Sequence, residues 1–158
     1  MVPNPYEADL AERDPLEAMS DTPWRIRAIV SKMPAADLAR GTAPGKWTVG
    51  QILVHLAQAE LALPVRVRMA LSQEGYVVQP FDQDRWMANE HAVDAATAMA
   101  AYLAVRQMNL QFLSALSQAD RAVTFHHPEY GVITVEWVMR QMAGHELHHL
   151  RQLEMIRG

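Results

Sequence analysis

The chain has no cysteine in 158 residues. That absence excludes a disulfide scaffold, a thiolate zinc finger, a cysteine-held iron–sulfur cluster and a cysteine nucleophile. Any thiol chemistry would need a sulfur brought from outside. Basic charge is also short: 14 Lys and Arg stand against 18 Asp and Glu, for a net charge of −4. Sequence-independent binding to nucleic acid needs a basic footprint, so no nucleic-acid partner is expected. No apolar run approaches the roughly 20 residues that cross a bilayer. The stretch Met1-Val2-Pro3-Asn4-Pro5-Tyr6-Glu7 has no basic region followed by an apolar one, so neither a membrane partner nor a secretory signal is expected and a cytoplasmic location is the default. Phenylalanine is scarce, with three residues against ten methionines, which predicts a core filled partly by flexible side chains.

Half of the residues are apolar and a fifth are charged, the composition of a soluble globular protein. The length fits one domain over residues 1–158. Helical spacing of apolar residues dominates. A first helical stretch runs from Pro15 to Met33, interrupted at Thr22-Pro23, so that it is either two short helices or one kinked helix. A second starts at Thr48, where Thr48-Val49-Gly50-Gln51 fits a capping box. It places Ile52, His55, Leu56, Ala59 and Leu63 on one face, and Pro64 bends it without ending it. Residues 75–91 read as a long irregular connection. A third helix begins after Asp94 and runs to Leu116, with Met99, Tyr102, Leu103, Leu110, Leu113 and Leu116 as its apolar side and Arg106 and Asn109 beside that stripe. Short β structure is possible at Val123–Phe125 and Val132–Ile133 around the turn His126-His127-Pro128-Glu129-Tyr130-Gly131. A fourth helix spans Thr134 to Ile156. Four amphipathic helices argue an all-α four-helix bundle.

The last helix carries an anomaly. Its seam reads Val135, Val138, Met142, then His145 and His149, then Leu153 and Ile156, so two imidazoles occupy places where Leu or Ile belongs. An imidazole buried without partners loses its hydrogen bonds to water. Residues four apart on a helix point the same way, about 6 Å apart at Cβ, so two ring nitrogens can converge on one ion. His55 repeats the anomaly between Ile52 and Ala59. Three inward histidines from two helices can form a three-nitrogen metal site with an open position for water or substrate; the competing account makes each a hydrogen-bonded core histidine with its own buried partner. His148 points to a neighbouring face with Gln141 and Gln152, suited to the surface or to supporting a ligand from behind. His91, His126 and His127 lie in or beside loops, where solvation is expected, although His127 could line a cavity mouth.

The string His145-Glu146-Leu147-His148-His149 also satisfies the H-E-x-x-H pattern of zinc proteases, which uses the glutamate as general base. Only nine residues follow His149 and none is His or Asp, so a downstream third ligand is missing and Glu146 is expected to face solvent or support a ligand. Gly144 suggests a close approach to the helix, or a tolerated defect costing about 1 kcal/mol against alanine. Trp47 and Trp137 are expected to pack under helix starts. Arg106 could meet an anionic substrate, although a surface arginine lying along apolar neighbours is the simpler reading.

The segment Trp47-Thr48-Val49-Gly50-Gln51-Ile52-Leu53-Val54-His55-Leu56, followed ninety residues later by His145-Glu146-Leu147-His148-His149-Leu150-Arg151-Gln152, resembles the DinB/YfiT-like superfamily. The turn His127-Pro128-Glu129-Tyr130-Gly131 is similar to members of that group as well. The resemblance implies a bundle in up-down-down-up order, commonly a homodimer. It also implies a divalent metal, zinc or nickel in many members, held by residues matching His55, His145 and His149. Relatives of that kind include thiol-dependent S-transferases and a mycothiol-dependent maleylpyruvate isomerase, in which the metal activates a low-molecular-weight thiol. The expectation is therefore a divalent-metal-binding protein acting as a metal-dependent transferase on a small-molecule substrate. The alternatives are a metal-dependent hydrolase, a non-catalytic metal-binding bundle that senses or sequesters, and a purely structural bundle.

Overall fold

The computed structural model describes residues 2–157. In chain order the elements are α1 (Glu7–Leu10), α2 (Pro15–Val30), a short 3-10 turn at Ala35–Ala39, α3 (Val49–Ser72), α4 (Gln83–Asn89), α5 (Ala95–Ser114), α6 (Gln118–Arg121), β1 (Thr124–His127), β2 (Gly131–Thr134) and α7 (Val135–Arg157). Helix starts follow local chemistry. Asp14 accepts from the amides of Leu16 and Glu17, with Pro15 in the first turn. The capping box at Thr48 and Gln51 is complete in both directions. Asp94 caps α5 through Thr97. The short helices α1, α4 and α6 carry too few apolar periods to be expected from sequence, and α4 falls inside the connection read as irregular.

Helix α2 packs on α7 and α5, and α3 packs on α5 and α7, closing a four-membered ring. Side-chain pairs give the directions. Glu60 meets Arg106 and Arg68 meets Asn109, so α3 and α5 ascend together. Arg25 meets Glu154, and Arg106 ties the Met19 carbonyl to Glu146, so α2 and α7 also run parallel. His55 faces His145 and His149 while Leu63 and Arg66 share a cavity with Gln141, which makes α3 antiparallel to α7. The order α2, α3, α5, α7 is thus up-down-down-up, and the parallel α3–α5 pair is made possible by the long connection that holds α4.

Both helical prolines are continuous with their helices, so α2 is one helix and not two. Proline lacks an N–H and orphans the carbonyl four residues earlier. For Pro23 that carbonyl is Met19, and it accepts from Arg106 Nη1 at 3.1 Å. For Pro64 it is Glu60, and it accepts from Asn109 Nδ2 at 2.9 Å. Helix α5 therefore turns Arg106 and Asn109 inward. Its buried face is Ala98, Tyr102, Arg106, Asn109 and Leu113, while Met99, Leu103, Leu110 and Leu116 are half-buried. This corrects the apolar stripe expected from sequence. It also corrects Arg106, which is 4% exposed and no surface arginine.

The strands β1 and β2 form an antiparallel hairpin, with Thr124 opposite Thr134 and His127 opposite Gly131. Gly131 has φ 71° after the three-residue loop 128–130, the left-handed position that such hairpins require. Alternation buries Phe125 and His127 and exposes Thr124 and His126. Among the described residues no helix is long and apolar enough to cross a membrane.

Candidate metal centre

His55 projects from the second turn of α3, and His145 and His149 project one turn apart from the middle of α7. All three are buried, at 1%, 7% and 5% exposure. Their ring nitrogens converge: His55 Nε2 lies 2.8 Å from His145 Nε2, which lies 3.0 Å from His149 Nε2. One donor atom from each residue falls within 4.8 Å of the others. Nitrogens bound at about 2.0–2.1 Å around one tetrahedral ion stand about 3.3 Å apart, so these two short separations need to open by only a few tenths of an ångström to fit one.

The protonation pattern suits the same purpose. Burial, with help from His149, pushes the His55 pKa down to about 3. Burial also takes His149 down to about 4, against the opposing effect of its hydrogen bond to Gln152. His145 is held well below the ordinary histidine range by burial and then by its two partners. All three rings are therefore neutral near pH 7, each with one unprotonated nitrogen that can serve as a ligand. The Nδ1–H of His149 donates to Gln152 Oε1 at 2.8 Å, which leaves Nε2 unprotonated and aimed at the cluster. The separate hydrogen-bonded partners that three ordinary core histidines would each need are not all there: His55 Nδ1 is buried without one.

Aromatic rings wall the cluster. Trp47 lies 4.6 Å from His55 and stacks near His149, and Phe81 stacks on His55. Trp47 thus packs on the histidines, just before the start of α3. Tyr6 meets His145 edge-on at 5.1 Å. It reaches there because of Gly144: a Cβ at that position would fall on the Tyr6 carbonyl oxygen and lie 2.8 Å from Tyr6 Cβ. The close approach anticipated at Gly144 is real, but the approaching element is the N-terminal segment and not another helix of the bundle. Trp137 packs against Tyr130 and donates from Nε1 to the Val2 carbonyl, holding that segment down.

Two cavities meet at the cluster. One, of about 370 Å³, is bordered by His55 and His145 together with Arg66, His127, Tyr130 and Gln141. The other, of about 320 Å³, is bordered by His149, His148, Trp47 and Lys46. Tyr6 and Gln83 border both. His127 is 3% exposed and lines the first cavity, so its expected solvation is corrected. The alternation of Phe125 with His127 along β1 was the available signal. His91 and His126 are exposed as expected. His148 is partly exposed, beside Gln152 and Asp9, whereas Gln141 is buried in the cavity wall and does not share its face.

Glu146 does not face solvent. It is 1% exposed and accepts from Arg106 Nη1 at 2.7 Å, on the side of α7 away from the histidines. Glu60 accepts from the same guanidinium at 2.6 Å. Burial and the Glu60 carboxylate push the Glu146 pKa well above the usual range. A glutamate committed to this core network cannot serve as base for a water at the histidines, so the zinc-protease pattern is coincidental. Sequence reasoning passed over Glu60 and Arg66, because a charged residue on a helix is ordinarily a solvated one.

The family model of the DinB superfamily matches residues 18–153. A protein of Oceanobacillus iheyensis named "Putative metal-dependent hydrolase" is 26% identical over 139 residues, covering 87% of this chain and 81% of the relative. A relative of the same name from Bacillus cereus (strain G9842) is 26% identical over 156 residues, covering 97% of this chain and 79% of its own. Among solved structures, YfiT from Bacillus subtilis is described as a probable metal-dependent hydrolase with an unusual four-helix bundle topology. It superposes with a TM-score of 0.83 at 21% identity, over 90% of this chain and 83% of its own. The mycothiol-dependent maleylpyruvate isomerase superposes with a TM-score of 0.70 at 14% identity; 94% of this chain is covered, which spans 60% of the isomerase. At these identities the structural likeness establishes the fold alone.

Proposed function

Because the chain belongs to the DinB superfamily, we propose that it is a divalent-metal enzyme, with His55, His145 and His149 as ligands, that transfers a low-molecular-weight thiol to a small electrophilic substrate. The observation that carries this reading is the pair of cavities meeting at one histidine cluster. A transferase must bring two molecules to one centre, and hydrolysis needs room for one molecule and a water. Zinc and nickel are the ions the family resemblance favours, and neutral imidazoles suit either. When bound, such an ion supplies the charge that lowers the pKa of a coordinated thiol, and the thiolate is the nucleophile.

The chain's own residues supply the rest. Gln152 fixes the ring of His149 with its lone pair inward. Trp47, Phe81 and Tyr6 keep water from the imidazoles. A chain with no cysteine has no thiol of its own to compete for the centre.

Elemental analysis of the purified protein tests the first half: about one divalent ion per chain is expected, and its loss in His149→Ala. A wild-type protein that neither carries nor binds such an ion sinks the proposal. Conjugation of bacillithiol, mycothiol or glutathione to an electrophile tests the second half, and a metal-loaded protein inactive with all three removes the transferase reading. Hydrolysis is the second reading, favoured by the names of the relatives, and turnover of carboxylic esters or amides without added thiol identifies it. The homodimer that the resemblance implies is proposed alongside, and light scattering on the eluting protein decides it.

A further inference from the structure

The first cavity holds a charge that the thiol chemistry does not use. Arg66 lies on α3 about three turns beyond His55, is 7% exposed and borders the cavity. Among the described residues its side chain forms no salt bridge and no hydrogen bond, in contrast to the equally buried Arg106, which has three partners. A guanidinium stays charged in proteins, and a buried charge without a partner is costly. Burial accordingly lowers the Arg66 pKa, while Tyr76, Glu129 and Tyr130 stand close enough to act against that. Glu129 and Asp82 are exposed at the cavity rim, and neither is within ion-pair distance of Arg66.

A second donor is uncommitted around the same space. His127 Nδ1 accepts from the amide of Glu129 at 3.1 Å, so the proton of the neutral ring sits on Nε2, a donor with no hydrogen-bond partner among the described residues. A planar fork of N–H donors beside a second N–H donor matches a carboxylate or phosphate group.

We infer that Arg66, with His127 beside it, is an oxyanion subsite that holds the carboxylate or phosphate end of the substrate. Eleven residues of helix rise separate Arg66 from His55 by about 16 Å along the axis, so the reacting end of that molecule is a different part of it. The cavity of about 370 Å³ limits the ligand to a small molecule. That the other end reacts at the histidines rests on the metal-enzyme reading; the anion subsite itself does not.

The test compares hexanoate, hexanamide and inorganic phosphate by NMR titration of the full-length protein, with metal content measured on every sample. Wild type is expected to bind hexanoate about tenfold or more tighter than hexanamide, the scale of a hydrogen-bonded charge pair. Arg66→Met should abolish that preference while keeping metal content and melting behaviour, and Arg66→Lys should keep part of it through charge alone. Arg66-dependent binding of phosphate in place of hexanoate supports the subsite and assigns it to phosphate esters. Wild type that binds neither anion, or Arg66→Met that retains the preference, overturns the subsite while leaving the metal reading intact. Arg66→Met that loses its metal also overturns it, because the arginine then acts through the fold. Arg66-dependent binding in a wild-type protein that holds no metal supports the subsite and overturns the metal-enzyme reading instead.

Discussion

At the scale of single residues, the contrast between His145 and Glu146 shows how one step along a helix changes chemistry. His145 faces α3 and two other imidazoles, and Glu146 faces α5 and a guanidinium. Glu146→Gln should keep the hydrogen bond to Arg106, leave metal content unchanged and alter stability by no more than about 1 kcal/mol. Glu146→Ala strips one of two carboxylate partners from a buried arginine, with Glu60 remaining, and should cost about 1–3 kcal/mol in urea unfolding. A metal-loaded wild-type protein that cleaves peptides, and loses that cleavage in Glu146→Gln, would revive the protease-like role. The histidines also set a pH dependence. Their folded-state pKa values are below the unfolded value near 6.5, to about 3 for His55 and about 4 for His149. Between those limits the unfolded chain binds more protons than the folded one, so metal-free protein should lose stability as pH falls from 6.5 toward 4. Each such histidine contributes a slope of up to about 1.4 kcal/mol per pH unit. Urea titrations of His149→Leu across that range should show a shallower dependence than wild type.

At the scale of elements, α5 explains why two prolines can sit inside α2 and α3. Arg106 and Asn109 give hydrogen bonds to the carbonyls that Pro23 and Pro64 orphan. Asn109→Leu should therefore cost about 1–3 kcal/mol for the exposed need at the Glu60 carbonyl, beyond any packing change. In a Pro64→Ala background the restored N–H of residue 64 meets that carbonyl, and part of the cost should disappear. A double-mutant cycle reading no coupling would show that Asn109 acts elsewhere. The N-terminal segment is held on α7 by a similar dependence on one position. Gly144→Ala places a methyl on Tyr6, so that segment should detach and become cleavable by protease at residues 2–6, with the Tyr6 cover over His145 lost.

At the scale of the whole molecule, an ion held by the three histidines is expected to act as a clasp between α3 and α7, since the histidines come from both. A ligand present at 100 times its dissociation constant stabilises the native state by about 2.7 kcal/mol. For a chain of this length that corresponds to a rise of about 5–10 °C in melting temperature, reversed by chelator. An unchanged melting curve on adding zinc or nickel to stripped protein would count against the clasp.

Local rules made much of this legible in advance. The capping box at Thr48, the cap at Asp94 and the four amphipathic stretches depend on neighbours in sequence, and periodicity alone put His55, His145 and His149 on buried faces. What the tertiary structure decided were matters of partnership. The apolar stripe of α5 is displaced because carbonyls on α2 and α3 need Arg106 and Asn109, a demand that no residue of α5 records. Glu146 and His127 are buried because a guanidinium and a hairpin face happen to meet them. Arg66 reads as an ordinary helix-surface charge until the fold encloses it in the cavity wall. A side chain's own spacing determines the direction in which it points, but only the packed chain determines whether water, a counter-charge or an empty cavity waits there.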